Sequence, residues 1–286
     1  TEDVIADSKF KSLSSIKIDP VVGYYFSTFV GHSLVRGHRV NGASGGMTTW
    51  ILENLLEKGL IDSVIAIGKS SENDALFKFM TGDSPETVRS ASGSIYNPVD
   101  MSEVIKLINS KGNEKRYAIV GLPCFLKGVE LAKKTMPRLS RRVCYTLGLT
   151  CGHLPNKFYT EYLGELSGIK RDKLKEVNYR SKKNTNRAAN FKFIAKSKNM
   201  ESGSQIPFTE ISDVWTNGWF GFNACDFCDD VFAELASVSL MDAWLPDYES
   251  DTAGTSMLVV RDKVIHSLLL EGAKSRTCEI ETVSVE

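Results

Sequence analysis

Tyr117-Ala-Ile-Val-Gly-Leu-Pro-Cys124 decides the fold. Its first five residues form a short apolar run of strand length, the kind that fills sheets covered on both faces. Periodic segments continue the pattern on either side. Residues 47–58 set Met47, Trp50, Ile51 and Leu55 on one helical face, with Asn54 as the one polar break. A strand over 63–68 follows, then a helix around 72–80, a polar loop to Pro98 and a helix over 101–108. Beyond the strand 117–121 come a helix over 126–134, a strand over 143–149 and a helix through Leu166, for which Pro155 suits the first turn. This alternation from 46 to 166 predicts an α/β fold, with a mixed, largely parallel sheet flanked by helices.

The second half is patterned differently. Residues 175–180 and 190–195 alternate like a hairpin joined by the basic loop 181–187. Strands are expected at 236–241 and 256–261, a helix at 264–271 and a last strand near 278–285. The loop 181–188 and the stretch 196–205 read as mobile, and the first 40 residues are weakly patterned. The expected organisation is one α/β domain over 1–286. It subdivides into an α/β core (20–170) and a β-rich, cysteine-bearing part (171–286).

Composition narrows the function. The chain of 286 residues carries 35 Lys or Arg and 35 Asp or Glu, which argues against a general nucleic-acid or membrane-surface binder. No apolar run is long enough to span a bilayer. The N-terminus lacks the basic and apolar regions of a secretory signal, so a cytoplasmic location is expected. In that setting six cysteines read as ligands or free thiols rather than disulfides.

Four of those thiols hold the chemistry. Cys124 and Cys151 each follow an expected strand, where α/β sheets build sites, and Cys225-Asp-Phe-Cys228 puts two more in one turn. Four thiols converging on one centre mean an iron–sulfur cluster or a structural zinc, and the bland alternative for Cys124 and Cys151 is ordinary buried thiols. Cys144 and Cys278 are expected to pack as small hydrophobes. Asn41-Gly-Ala-Ser-Gly-Gly46 precedes a helix, where free N–H groups can hold a phosphate or Ser44 can act as a cap. Ser92-Gly-Ser-Ile-Tyr96 is a second small-residue loop, whose tyrosine either packs on a planar ring or sits half-buried in a turn. The basic run from Arg180 to Arg187 suits an anionic cofactor, an acidic partner or plain solvated surface. Asp242 ends another apolar strand. Triad, zinc-protease, phosphate-loop and dinucleotide-loop patterns do not occur.

At these residues the chain resembles the beta-subunit family of coenzyme F420-reducing hydrogenases and dehydrogenases, over roughly residues 20–280. The matching segments are Arg39 with Ala43-Ser-Gly-Gly46, Ser92 to Tyr96, Gly121-Leu-Pro-Cys124, Cys151-Gly152, Tyr179-Arg-Ser-Lys182, Cys225-Asp-Phe-Cys228, Asp242-Ala-Trp-Leu-Pro-Asp247 and Gly254-Thr-Ser256. The resemblance implies an oxidoreductase with FAD and a [4Fe–4S] cluster, the cluster held by Cys124, Cys151, Cys225 and Cys228. It places Arg39, Ser44, Gly45, Gly46, Gly93, Ser94, Tyr96, Arg180, Lys182 and Asp242 around the flavin. It implies a diffusible redox substrate, coenzyme F420 being one candidate, and an electron-transfer partner protein or ferredoxin-like domain, in an assembly that is a possible oligomer. The sequence departs from the family at Phe125, where relatives carry Gln, and at Met241, where they carry Gly. It also lacks the N-terminal ferredoxin-like segment of many relatives. The competing reading is a non-catalytic, zinc-binding α/β interaction protein.

Overall fold

The computed structural model describes residues 2–70, 75–183, 185–198 and 200–285. Helix α1 (Glu2–Phe10) precedes a small antiparallel pair, β1 (Lys17–Asp19) and β2 (Gly23–Tyr25). β3 (Ser27–Ser33) leads through α2 (His38–Asn41) into α3 (Met47–Glu57). Then come β4 (Ser63–Lys69), β5 (Phe77–Gly82), α4 (Pro85–Ser90), α5 (Ser102–Asn109), β6 (Tyr117–Gly121), α6 (Pro123–Lys133), α7 (Pro137–Arg142) and β7 (Val143–Leu149). Helix α8 (Lys157–Leu166) precedes a three-stranded sheet of β8 (Leu174–Ser181), β9 (Lys192–Ser197) and β10 (Ser204–Pro207). The chain closes with α9 (Ser212–Thr216), β11 (Val238–Asp242), β12 (Ser256–Val260), α10 (Lys263–Lys274) and β13 (Cys278–Thr282).

The large sheet has the order β13-β3-β12-β11-β7-β6-β4-β5. Its centre, β11-β7-β6-β4, is parallel. Antiparallel strands complete it on both sides. This is the mixed α/β sheet flanked by helices that the sequence predicts. Period-2 alternation divides the strands between two cores. Ala118 and Val120 face the cluster built on Trp50, Ile51 and Leu55 of α3 and Leu268 and Leu269 of α10. Tyr117 and Ile119 face Val104, Ile108, Leu126, Val129 and Leu139 of α5, α6 and α7. A third core joins α8 to the small sheet through Tyr159, Leu163, Val177, Tyr179 and Phe193.

Several local expectations are corrected. The helix around 72–80 is instead strand β5 over its described part, and residues 72–74 lie outside the described residues. Phe77 and Phe79 are buried while Lys78 and Met80 are half-buried, a period of two rather than 3.6. Helix α6 begins at Pro123, three residues early, because proline at the first helical position needs no N–H partner. Pro155 stays outside α8: Asn156 is the cap, its side chain accepting from Phe158 N at 3.0 Å, and Pro155 forms a bridge with Gly221. The 196–205 stretch contains the end of β9 and the start of β10, with Asn199 outside the described residues, as are Asn184 of the basic loop and Thr1. Cys278 packs in the core as expected, but Cys144 is exposed at the start of β7.

Candidate functional site

The sheet register gathers the first two thiols. Gly121 of β6 lies opposite Gly148 of the parallel strand β7. Cys124 and Cys151 each come three residues later, so both leave the same carboxyl edge. Pro123 fixes Cys124 in the first turn of α6. Cys225 sits in a tight 3-10 turn (Asn223–Phe227), and Cys228 N donates to Cys225 O at 3.2 Å. This turn meets the segment after β7: Leu154 N donates to Cys225 Sγ at 3.4 Å, and Cys151 N donates to Val231 O at 3.1 Å.

The four thiols share one electrostatic neighbourhood. Burial pushes the Cys151 thiol up to about 12, helped by Cys124, Cys225, Cys228 and Asp230. Burial also raises Cys124, with Cys228 and Cys225 adding to the effect. Burial and the neighbouring thiols thus disfavour ionisation of Cys124 and Cys151, a condition that a bound cation reverses. Among the described residues no three His, Cys, Asp or Glu side chains stand positioned to hold one ion. Cys124 and Cys228 are exposed, Cys151 and Cys225 half-buried.

A second group assembles beside the first, along β11 and the loops that face it. Asp242 ends β11, whose Leu240 O accepts from Thr150 N at 3.0 Å, next to Cys151. Arg180, at the end of β8, pairs with Asp242 at 2.8 Å and donates to Ser94 Oγ at 3.3 Å. Its guanidinium lies 4.6 Å from the Phe191 ring centre and 4.9 Å from that of Trp244. Its Nε is buried without a partner. Lys182 reaches across to donate to the carbonyls of Arg39, Ser44 and Ala253 at 2.8–2.9 Å. Burial draws its pKa down to about 8; Arg180 and Arg39 lower it further, while Asp242 and Asp251 oppose.

The small-residue loops serve close packing. Ser44 does not cap α3, which has Gly46 in that position in the left-handed conformation; the Ser44 hydroxyl instead donates to Thr255 O at 2.5 Å. A Cβ at Gly45 would stand 2.7 Å from Gly31 O and Ser256 N, so only glycine lets this loop lie on β3 and β12. Arg39 pairs with Asp251 and donates to Gly254 O. Gly93, at φ +105°, turns the second loop near Asn41.

Tyr96 joins the two groups. Its buried hydroxyl is raised by desolvation and feels Arg180, Asp242, Ser94 and Cys151. Its ring packs on Tyr179 at 5.3 Å and on Trp215 at 4.5 Å, and Trp215 packs on His153 at 4.3 Å, two residues from Cys151. Tyr179 Oη lies in a hydrogen bond with Thr160 at 2.5 Å. All fourteen residues singled out in the sequence therefore fall at or beside this carboxyl edge. Sequence reasoning missed Trp215, His153, Phe191 and Asp251. Only Asp251 left a local signal, the turn in which it accepts from Ala253 N at 3.2 Å.

Comparison with known proteins adds the family. Residues 28–106 match the N-terminal part, and residues 114–286 the C-terminal part, of the coenzyme F420 hydrogenase/dehydrogenase beta subunit. An uncharacterized protein of Methanocaldococcus jannaschii is 23% identical over 86% of this chain and 85% of its own length. The beta subunit of F420-dependent formate dehydrogenase 1 from Methanococcus maripaludis is 33% identical over 39% of this chain, which spans only 28% of that relative. The F420-reducing [NiFe] hydrogenase complex of Methanosarcina barkeri contains a chain with the same fold, at a TM-score of 0.70 and 18% identity, covering 93% of this chain and 84% of that one. Among the described residues no helix is long and apolar enough to cross a membrane. With family matches running from residue 28 to the C-terminus, this chain belongs to the coenzyme F420 hydrogenase/dehydrogenase beta-subunit family.

Proposed function

We propose that this chain moves electrons between a [4Fe–4S] cluster at Cys124, Cys151, Cys225 and Cys228, an FAD beside Arg180, and a diffusible carrier such as coenzyme F420. The observation that carries the reading is the position of Tyr96, whose ring packs on Tyr179, next to Arg180, and on Trp215, which packs on His153 two residues from Cys151. Two-electron and one-electron chemistry need cofactor sites that adjoin, and this packing would bring the two proposed sites together. When bound, FAD exchanges electrons in pairs and the cluster exchanges them singly.

The residues supply binding and placement. Arg180, locked by Asp242 and two aromatic faces, offers a guanidinium fixed in orientation for an anionic or carbonyl group. Lys182 adds a second positive charge while its ammonium ties three backbone segments together. Tyr96, Tyr179 and Trp215 form an aromatic wall between the two groups. The raised pKa values of Cys124 and Cys151 mean that these two thiols hold their protons at neutral pH, so loading a metal would expel them. A cytoplasmic electron-transfer partner protein or ferredoxin-like domain completes the path.

Two variants test the assignment after anaerobic reconstitution with iron, sulfide and FAD. Cys124→Ser should lose iron and keep flavin, whereas Arg180→Met should lose flavin and keep iron. If Cys124→Ser retains the full iron content, the ligand set is wrong. If Arg180→Met binds FAD like the parent, the flavin does not lie at this site.

A further inference from the structure

We propose that the turn carrying Cys225 and Cys228 is the docking face for a basic protein partner, with the Phe227 ring as its apolar anchor. The inference deepens the electron-transfer reading and rests on it for the partner's purpose. The turn itself is built from observations independent of any cofactor.

Phe227 lies between the two cysteines and is 89% exposed. Trp219 is 63% exposed and Phe222 40% exposed. Large aromatic rings rarely stand free on a surface without a partner, and aromatic anchors dominate the energy of protein interfaces. Backbone bonds hold the three in one short segment. Gly221 N donates to Gly218 O at 2.8 Å, Cys225 N donates to Phe222 O at 2.8 Å, and Phe222 N donates to Leu154 O at 3.3 Å. The rings are therefore presented on a braced turn. The thiol of Cys228 lies exposed at the same surface, as does that of Cys124.

Charge selects the partner. From Met200 to Val260 the sequence holds eleven Asp or Glu and no Lys, Arg or His; Asp242, Glu249 and Asp251 pair with Arg180, Arg187 and Arg39, and Asp230 is buried, so Asp226 and Asp229 are the exposed charges of the turn. Asp226 and Asp229 flank Phe227 and are exposed. Lys127, which feels Asp229 and Asp230 beside this turn, is paired with Glu2. An apolar knob flanked by two exposed carboxylates is complementary to an apolar socket that carries Lys and Arg. Such complementarity governs encounter rate and register.

The test uses the full chain, as purified, with ferricytochrome c as a probe whose apolar haem edge is ringed by lysines. Calorimetry should show one cytochrome per chain, with affinity falling by about tenfold or more between low and physiological salt. Phe227→Ala should weaken binding by about tenfold or more, as loss of an aromatic anchor does, with the melting temperature unchanged because the ring is exposed. Asp226→Asn with Asp229→Asn should flatten the salt dependence, and an acidic plant-type ferredoxin should not bind. Any of three results overturns the proposal: binding that ignores Phe227→Ala, tighter binding of the ferredoxin than of the cytochrome, or a dimer of the chain alone that Phe227→Ala dissolves. Binding by this face requires neither iron nor flavin. Colourless protein that still binds through Phe227 would sink the electron-transfer reading and leave the docking face. Coloured protein that does not bind would do the reverse.

Discussion

The two groups at the carboxyl edge of the sheet are built in opposite ways. Around Arg180 the protein supplies its own bonds: a buried ion pair with Asp242, two aromatic faces, three carbonyls on Lys182, and an Arg39–Asp251 pair closing the loops. Around the thiols it supplies backbone turns and little else, and two of the four sulfurs are exposed. The first group is organised before anything binds. In the second, burial and the neighbouring thiols hold Cys124 and Cys151 in the protonated form, and the proposed metal would have to displace those protons. The contrast separates a group held by its own packing from one whose order would come from what it binds.

Substitutions in metal-free protein should expose this difference most strongly. Asp242→Ala leaves the Arg180 guanidinium, with its side chain 5% exposed, lacking its carboxylate. The expected loss is about 3 kcal/mol or more in urea unfolding. Cys228→Ser on the exposed turn should cost less than about 0.5 kcal/mol under the same conditions. Equal losses would break the comparison.

A smaller effect is expected at Gly254, which sits at φ +85° with Ser44 Cα only 2.9 Å from where a Cβ would stand. Gly254→Ala should lower stability by about 1–2 kcal/mol and loosen the Lys182 anchor, because both strain and a backbone contact oppose the methyl. Hydrogen exchange at residues 44–46 would report the loosening. Protection there equal to the parent's would mean that these loops are not braced against each other.

The pH dependence of Lys182 sharpens the same point. Its folded pKa of about 8 lies below the ordinary 10.5. Below about 8 both states hold the proton and stability is flat. Between about 8 and 10.5 the unfolded chain binds the extra proton, so stability rises with pH. Anion binding runs the other way, because the ammonium is lost above about 8. Affinity for FAD should therefore fall between pH 7 and 9, and Lys182→Met should bind weakly and without that slope. A slope that survives in Lys182→Met assigns it to another group.

Much of the architecture was legible in the sequence because it is local. The 3.6-residue spacing of Met47, Trp50, Ile51 and Leu55 and the apolar run Tyr117–Gly121 mark α3 and β6 without reference to the rest of the chain. The misreading at 72–80 arose where the pattern is short: Leu76 and Met80 stand at helical spacing, while the buried pair Phe77 and Phe79 follows the period of two. The placement of Ser44 was not legible, since its acceptor, Thr255 O, is distant in sequence. The aromatic wall has the same character: Trp215 and His153 meet Tyr96 only because α8, the small sheet and the thiol loops converge. The four cysteines stood out by residue type and spacing, and Arg180 by its basic run and the family resemblance, whereas nothing in the sequence told that Tyr96 would lie between them.

The most direct measurement is an anaerobic ultraviolet–visible spectrum of the purified protein, with iron, sulfide, zinc and flavin assayed on the same sample. The account predicts flavin bands over a broad shoulder bleached by dithionite, with about four irons and four sulfides per chain. A colourless protein holding one zinc would contradict it, and would leave the four thiols as a structural staple.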